Sequence, residues 1–135
     1  MKSCLISSLT LLLYGNQQAD FTYKVYLNGT IDQVARGHVC AKLPYQLYFS
    51  FKDHYQPDIV IKQSTAKIID WRLQQVTEID LNDQPIYKLL KNKSALENLC
   101  LEQNNAKYCI SFKNINNYDC QLNPTVPKDF DYIRS

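Results

Sequence analysis

The chain of 135 residues is short of several things, and each shortage removes a class of function. It has only three glycines, and no glycine-rich stretch of the kind whose backbone amides cradle phosphate. It has two histidines, His38 and His54, and neither an HExxH nor a CxxC pattern, so no standard zinc or redox motif is present. Fifteen Lys+Arg against thirteen Asp+Glu leave a formal charge of +2, without the basic stripe a nucleic-acid binder needs. Runs of like charge are absent; Lys88, Lys91 and Lys93 come nearest and read as a solvated face. No apolar run approaches the ~20 residues required to cross a bilayer as a helix. No internal repeat or low-complexity tract marks a second domain.

What is present is an ordinary globular composition, 45% hydrophobic, with ten Tyr and five Phe that favour strands. Lys2 followed by the apolar segment Cys4–Tyr14 reads as a secretory signal within residues 1–19. Cleavage is expected after Gly15 or Ala19, leaving residues 20–135 as one domain, secreted or, in a bacterium, periplasmic. Loss of Cys4 with that segment leaves Cys40, Cys100, Cys109 and Cys120, an even number that suits two disulfides in an exported chain. Asn28-Gly-Thr30 and Asn92-Lys-Ser94 match the glycosylation acceptor pattern, relevant if the source is eukaryotic.

Alternation gives most of the secondary structure. Phe21–Leu27 alternates as a half-buried strand, and Asn28-Gly29 reads as a turn. Residues 30–42 read as a second extended segment interrupted near Gly37. Tyr45–Lys52 is the strongest strand, with Tyr45, Leu47, Phe49 and Phe51 inward and Gln46, Tyr48, Ser50 and Lys52 outward. Asp58–Lys62, Lys67–Gln75 (with Ile69, Trp71 and Leu73 on one face) and Ile86–Leu90 follow as strands. From about Asn116 the chain is polar and punctuated by Pro124 and Pro127, as a tail or an edge strand.

Two readings compete over Ser94–Cys120. Ser94-Ala-Leu-Glu97 has the form of a capping box, and Leu96, Leu99, Cys100 and Gln103 share a helical face. Alternatively Asn104-Asn105 is a hairpin tip that pairs Glu102 with Lys107, Leu101 with Tyr108, Cys100 with Cys109 and Leu99 with Ile110. The preferred reading is a short helix from Ser94 to about Cys100, then a strand from Lys107 to Asn114. Either way Cys100 meets Cys109, and by elimination Cys40 meets Cys120.

Two family likenesses can be drawn. Gln33-Val-Ala-Arg-Gly37 is similar to the Gln-x-Val-x-Gly loop of cystatins, which implies protease inhibition. A longer series resembles the transthyretin-like superfamily, which includes the hydroxyisourate hydrolases: Val34-Ala-Arg-Gly37 with Cys40 and Pro44, Trp71 to Asp83, Ile86-Tyr-Lys88, Lys93-Ser94 before a helix, Lys107–Asn114, and Tyr132-Ile-Arg-Ser135. This resemblance implies an immunoglobulin- or transthyretin-like β-sandwich of about seven strands with one short helix, about 94–100. The hydrolase histidines and arginine would fall at Tyr26 or Thr30, at Gln84 and at Asp119, none of which carries the required group. The expectation is therefore a binding protein without catalytic residues, metal or cofactor. Its partner would be an extracellular protein or a small hydrophobic ligand, and the outward tyrosines Tyr26 and Tyr48 are the candidate contacts.

Overall fold

A computed structural model describes residues 16–43, 46–53, 55–91 and 93–134. Most of the expected signal segment, Pro44, Tyr45, His54 and the acceptor Asn92 lie outside these residues. The protein is mainly β, with one short helix and two disulfides. Its described strands are β1 (Gln17–Leu27), β2 (Thr30–Lys42), β3 (Gln46–Phe51), β4 (Asp58–Lys62), β5 (Thr65–Asp70) and β6 (Gln75–Asp80). Helix α1 (Pro85–Leu90) follows, then β7 (Leu99–Gln103), β8 (Ala106–Asn116) and β9 (Asp131–Arg134). Where the sequence suggests about seven strands in a sandwich, nine are hydrogen-bonded into one sheet in the order β7-β8-β1-β2-β3-β4-β5-β6-β9. All neighbours are antiparallel except β6 and β9, which run parallel.

Turn chemistry fixes the register. Asn28 and Gly29 have φ of 51° and 79°, both positive, as a two-residue type I′ hairpin requires, and Leu27 pairs with Thr30 across them. Asn104 and Asn105, at 55° and 64°, do the same between Gln103 and Ala106. With the registers set, alternate residues line the inner face in continuous rows. One runs Ala19, Val39, Phe49, Ile59, Ile68; the next runs Ala41, Leu47, Ile61, Ala66, Ile79. The buried members of these rows join Phe21, Ile110 and Phe112, and Leu89 and Leu90 of α1, in one cluster, with Ile59 and Ile79 half-buried against it. Burying one such residue, Phe49 at 2% exposure, contributes about 2–3 kcal/mol. Gly37 does not interrupt β2: a Cβ there would lie 2.0 Å from the Ser50 carbonyl oxygen and 3.0 Å from the Phe21 ring. Glycine lets β3 and that ring close in.

The outer face has a smaller cluster, Val60, Ile69 and Val76, packed by Tyr48, Val126 and Phe130. The last two belong to a strap, residues 117–130, that crosses the sheet from β8 towards β6. Two sheet glutamines hold it in passing: Gln18 Nε2 donates to the Tyr118 carbonyl at 3.1 Å, and Gln46 Nε2 to the side-chain Oδ1 of Asn123 at 2.8 Å. Cys120 is bonded to Cys40 between these two contacts, over a sequence separation of 80. The strap then becomes β9 at the edge of β6, so the expected tail is both a strap and an edge strand.

Three local expectations are overturned. The helix is at Pro85–Leu90, where a strand was expected, and residues 94–98 are irregular, where the helix about 94–100 was expected. Pro85 stands at the first helical position, where it loses no hydrogen bond, and Leu89 and Leu90 turn into the core. The capping box fails because a helix of that length is marginal alone, and competing partners take its groups. Leu96 is buried and donates its N–H to Gln17 Oε1 at 3.0 Å, while Glu97 pairs with Lys93 Nζ at 3.0 Å. The hairpin alternative is the observed one, with Cys100 opposite Cys109 and a Cα separation of 4.1 Å. Lys67–Gln75 is not one strand: Lys67–Asp70 ends β5, residues 71–74 form the turn, and Gln75 opens β6. Asp70 Oδ1 accepts from the N–H groups of Arg72 and Leu73, an Asx turn that outcompetes the extended form and leaves Trp71 and Leu73 exposed.

Candidate functional site

The inner face is not completely filled. A cavity of about 210 Å³ remains between β1 (Phe21, Tyr23), β3 (Phe49, Phe51), β4 (Ile59, Ile61), β5 (Ala66, Ile68) and β6 (Ile79), closed below α1 by Leu81 and Gln84. Tyr23 and Ile79 are five strand spacings apart, ~24 Å on a flat sheet at ~4.8 Å per strand. A cavity this small can touch both only because the sheet curls, bringing β6 round towards β1. Phe21, Phe49, Ile61, Ala66 and Leu81 form a buried floor. Tyr23, Phe51, Ile59, Ile68 and Ile79 form a half-buried rim, and Gln84 is exposed at the mouth.

The floor owes its shape to small residues between large ones. Phe21 packs edge-on to Phe49 and Phe51, with ring centroids 5.1 and 5.4 Å away, over the space that Gly37 leaves. Ala66 stands in the same row as Ile61 and Ile79, so the wall is recessed there. Polar chemistry is limited to two groups. The Tyr23 phenol is pushed up to about 12 by burial and, secondarily, by Tyr108. Gln84 precedes α1 without using its side chain to cap it. None of the eleven lining residues is charged.

Tyr26 and Tyr48, the candidate contacts, are on the opposite face and are not brought together. Tyr48 lies level with Cys40 and hence with Gln18, eight residues along β1 from Tyr26, about 27 Å at ~3.4 Å per residue. Tyr48 is half-buried against the outer cluster and donates its hydroxyl to Asp58 Oδ2 at 3.0 Å; Trp71 Nε1 donates to the same oxygen at 2.8 Å. Burial, reinforced by that carboxylate, raises the Tyr48 phenol to about 12. Tyr26 lies under Lys107 Nζ, 5.9 Å from the ring centroid, beside the groove of the two Asn hairpins. Asn28 is exposed at its hairpin tip. Cys40, Cys100, Cys109 and Cys120 form the two expected bonds.

One polar row also crosses the outer face. Asp20, His38 and Ser50 are successive cross-strand neighbours on β1, β2 and β3. His38 Nδ1 lies 3.5 Å from Asp20 Oδ1 with both side chains about half exposed. Asn114 Nδ2 donates to the other Asp20 oxygen at 2.8 Å and, with His38, holds that carboxyl below the usual range. The row is a surface hydrogen-bonded contact anchored by the Asn114 amide. Among the described residues no group of three or more His, Cys, Asp or Glu is placed to hold a metal ion.

The pocket residues Ile59, Ile61 and Ile68 read in the sequence only as strand residues, and Ile79 falls outside the strands assigned by alternation. The signal for a cavity was the small inward Ala66 among bulky neighbours; it becomes informative only when the register is known. No protein-family model matches the chain, and no curated protein matches it.

Proposed function

We propose that this protein is an exported, non-catalytic binding protein whose inner pocket takes a small apolar ligand. The observation that carries the reading is the cavity of about 210 Å³, lined by ten apolar or aromatic side chains and one amide and open to solvent at its rim. Concave, largely apolar pockets with few polar groups are the usual form of small-molecule sites, though typically of 300–1,000 Å³, so the ligand is small. Two disulfides fit an oxidising compartment, and no described helix is long and apolar enough to cross a membrane. Signal cleavage after Gly15 leaves β1 whole. Cleavage after Ala19 would remove Gln17, whose side-chain Oε1 accepts the Leu96 N–H.

The likeness to transthyretin-like proteins accords with a mainly β, disulfide-bonded domain, and support for binding comes from the pocket instead. An inhibitor reading gains nothing from the fold: Gln33–Gly37 lies within β2 and pairs with β1, not at a projecting tip. The test is ligand-observed NMR with toluene as probe. Saturation transfer to toluene that disappears in Ile79→Phe, with the variant's folded spectrum retained, supports the reading; no transfer to the folded wild type refutes it.

A further inference from the structure

We infer that the pocket selects an uncharged ligand of about eight to ten non-hydrogen atoms with one polar end, such as a medium-chain alcohol or ketone or a substituted phenol, and discriminates against the corresponding carboxylates. This rests on the binding reading above and narrows it to a chemical class.

Size comes first. An apolar cavity of about 150 Å³ accommodates benzene, so ~210 Å³ holds about eight to ten atoms before the ligand must emerge past the rim. A long acyl chain would leave most of its length in water and gain nothing from the pocket. Charge comes second. The lining contains no lysine, arginine or histidine, so a carboxylate drawn into it would give up hydration without a counter-charge. Position of the polar end comes third. The floor (Phe49, Ile61, Ala66, Leu81) offers no hydrogen bond, whereas the rim carries the Tyr23 phenol and the mouth carries Gln84. A hydroxyl or carbonyl sited there meets both a donor and an acceptor. Tyr23 stays protonated throughout the neutral range, so it remains a donor at physiological pH.

The experiment is calorimetric titration of the full chain with 1-octanol, 2-octanone, octanoate and 1-hexadecanol at pH 7.5, alongside toluene. Octanol and octanone are expected to bind one per protein and at least tenfold tighter than octanoate, with hexadecanol gaining nothing over octanol. Gln84→Lys, an exposed change that leaves the floor intact, should narrow or reverse the octanol–octanoate preference. Octanoate within threefold of octanol, an unchanged preference in Gln84→Lys, or tighter binding of hexadecanol overturns the inferred class while toluene binding leaves the pocket reading standing. If toluene and all four compounds fail to bind the folded protein, the pocket reading itself fails.

Discussion

The two faces of the sheet are held by different means. The inner face is consolidated by burial: fourteen residues from six strands, α1 and the loops flanking the helix form one apolar cluster, and both the aromatic floor and the cavity belong to it. The outer face buries a smaller set, Val60, Ile69 and Val76 with the disulfide-bonded Cys40, and depends on covalent bonds and a strap. Both disulfides are on that side, because Cys40, Cys100 and Cys109 occupy the alternate positions that the register turns outward. Division of this kind lets the inner face keep a gap. The short Ala66 side chain between Ile61 and Ile79 sacrifices some packing, and the cross-links on the opposite face offset it by restricting the unfolded chain.

The sharpest test of that contrast sets one aromatic of each face against the other. Phe49→Ala removes the centre of the inner cluster and should cost about 3–5 kcal/mol in urea unfolding. Phe130→Ala removes a half-buried ring from the strap, where it meets Trp71 edge-on at 5.7 Å, and should cost about 1–2 kcal/mol. Equal losses would show that the strap is as much a core as the inner face.

A smaller difference separates the two disulfides. In the chain-entropy picture the Cys40–Cys120 bond, closing a separation of 80, contributes about 4.5 kcal/mol, and the Cys100–Cys109 bond, closing a separation of 9, about 2.7 kcal/mol. Paired alanine replacement of Cys40 and Cys120 should therefore lower the urea midpoint more than replacement of Cys100 and Cys109. The opposite order would make the β7–β8 hairpin, not the strap, the feature that depends on its cross-link.

The mildest effect is expected at alkaline pH, where each face holds one tyrosine in its neutral form. For Tyr23 and Tyr48 the folded-state value is raised from 10.0 to about 12. The stability each contributes is therefore fully present below about pH 10 and is lost as pH rises through about 12. Thermal melts between pH 9 and 12 should show wild type losing Tm more steeply than Tyr23→Phe or Tyr48→Phe. Tyr48→Phe should also lose a little stability at neutral pH, because Asp58 Oδ2 then keeps only the Trp71 donor. A parallel pH dependence in all three proteins would mean that neither phenol is held neutral by the fold.

Much of the fold was legible where local chemistry and burial agree. The Asn28-Gly29 turn and the inward Leu47, Phe49 and Phe51 follow from alternation counted outward from turn residues; the β7–β8 register is the less favoured of two readings, and the Cys100–Cys109 pair follows from either. Reading failed where two local codes were nearly balanced. Ser94-Ala-Leu-Glu97 satisfies a helix start, yet Leu96 is worth more buried against the sheet; Ile86–Leu90 suits a strand, yet Pro85 and the adjacent leucines suit a helix over the core. At Asp70 the carboxylate's bonds to two backbone amides turned an alternating segment into a hairpin.

The sequence by itself determined that the chain is mainly β, the faces of its best strands and the closeness of Cys100 to Cys109, since these depend on a two-residue period and on turns a few residues long. Only the tertiary structure decided that the strands curl into one sheet with α1 over its inner face, that Tyr48 is tied to Asp58 while Tyr26 is not beside it, and that a pocket remains between β1 and β6. Those features depend on which residues of distant strands meet, and a gap is the absence of a side chain at a meeting point that no local pattern encodes.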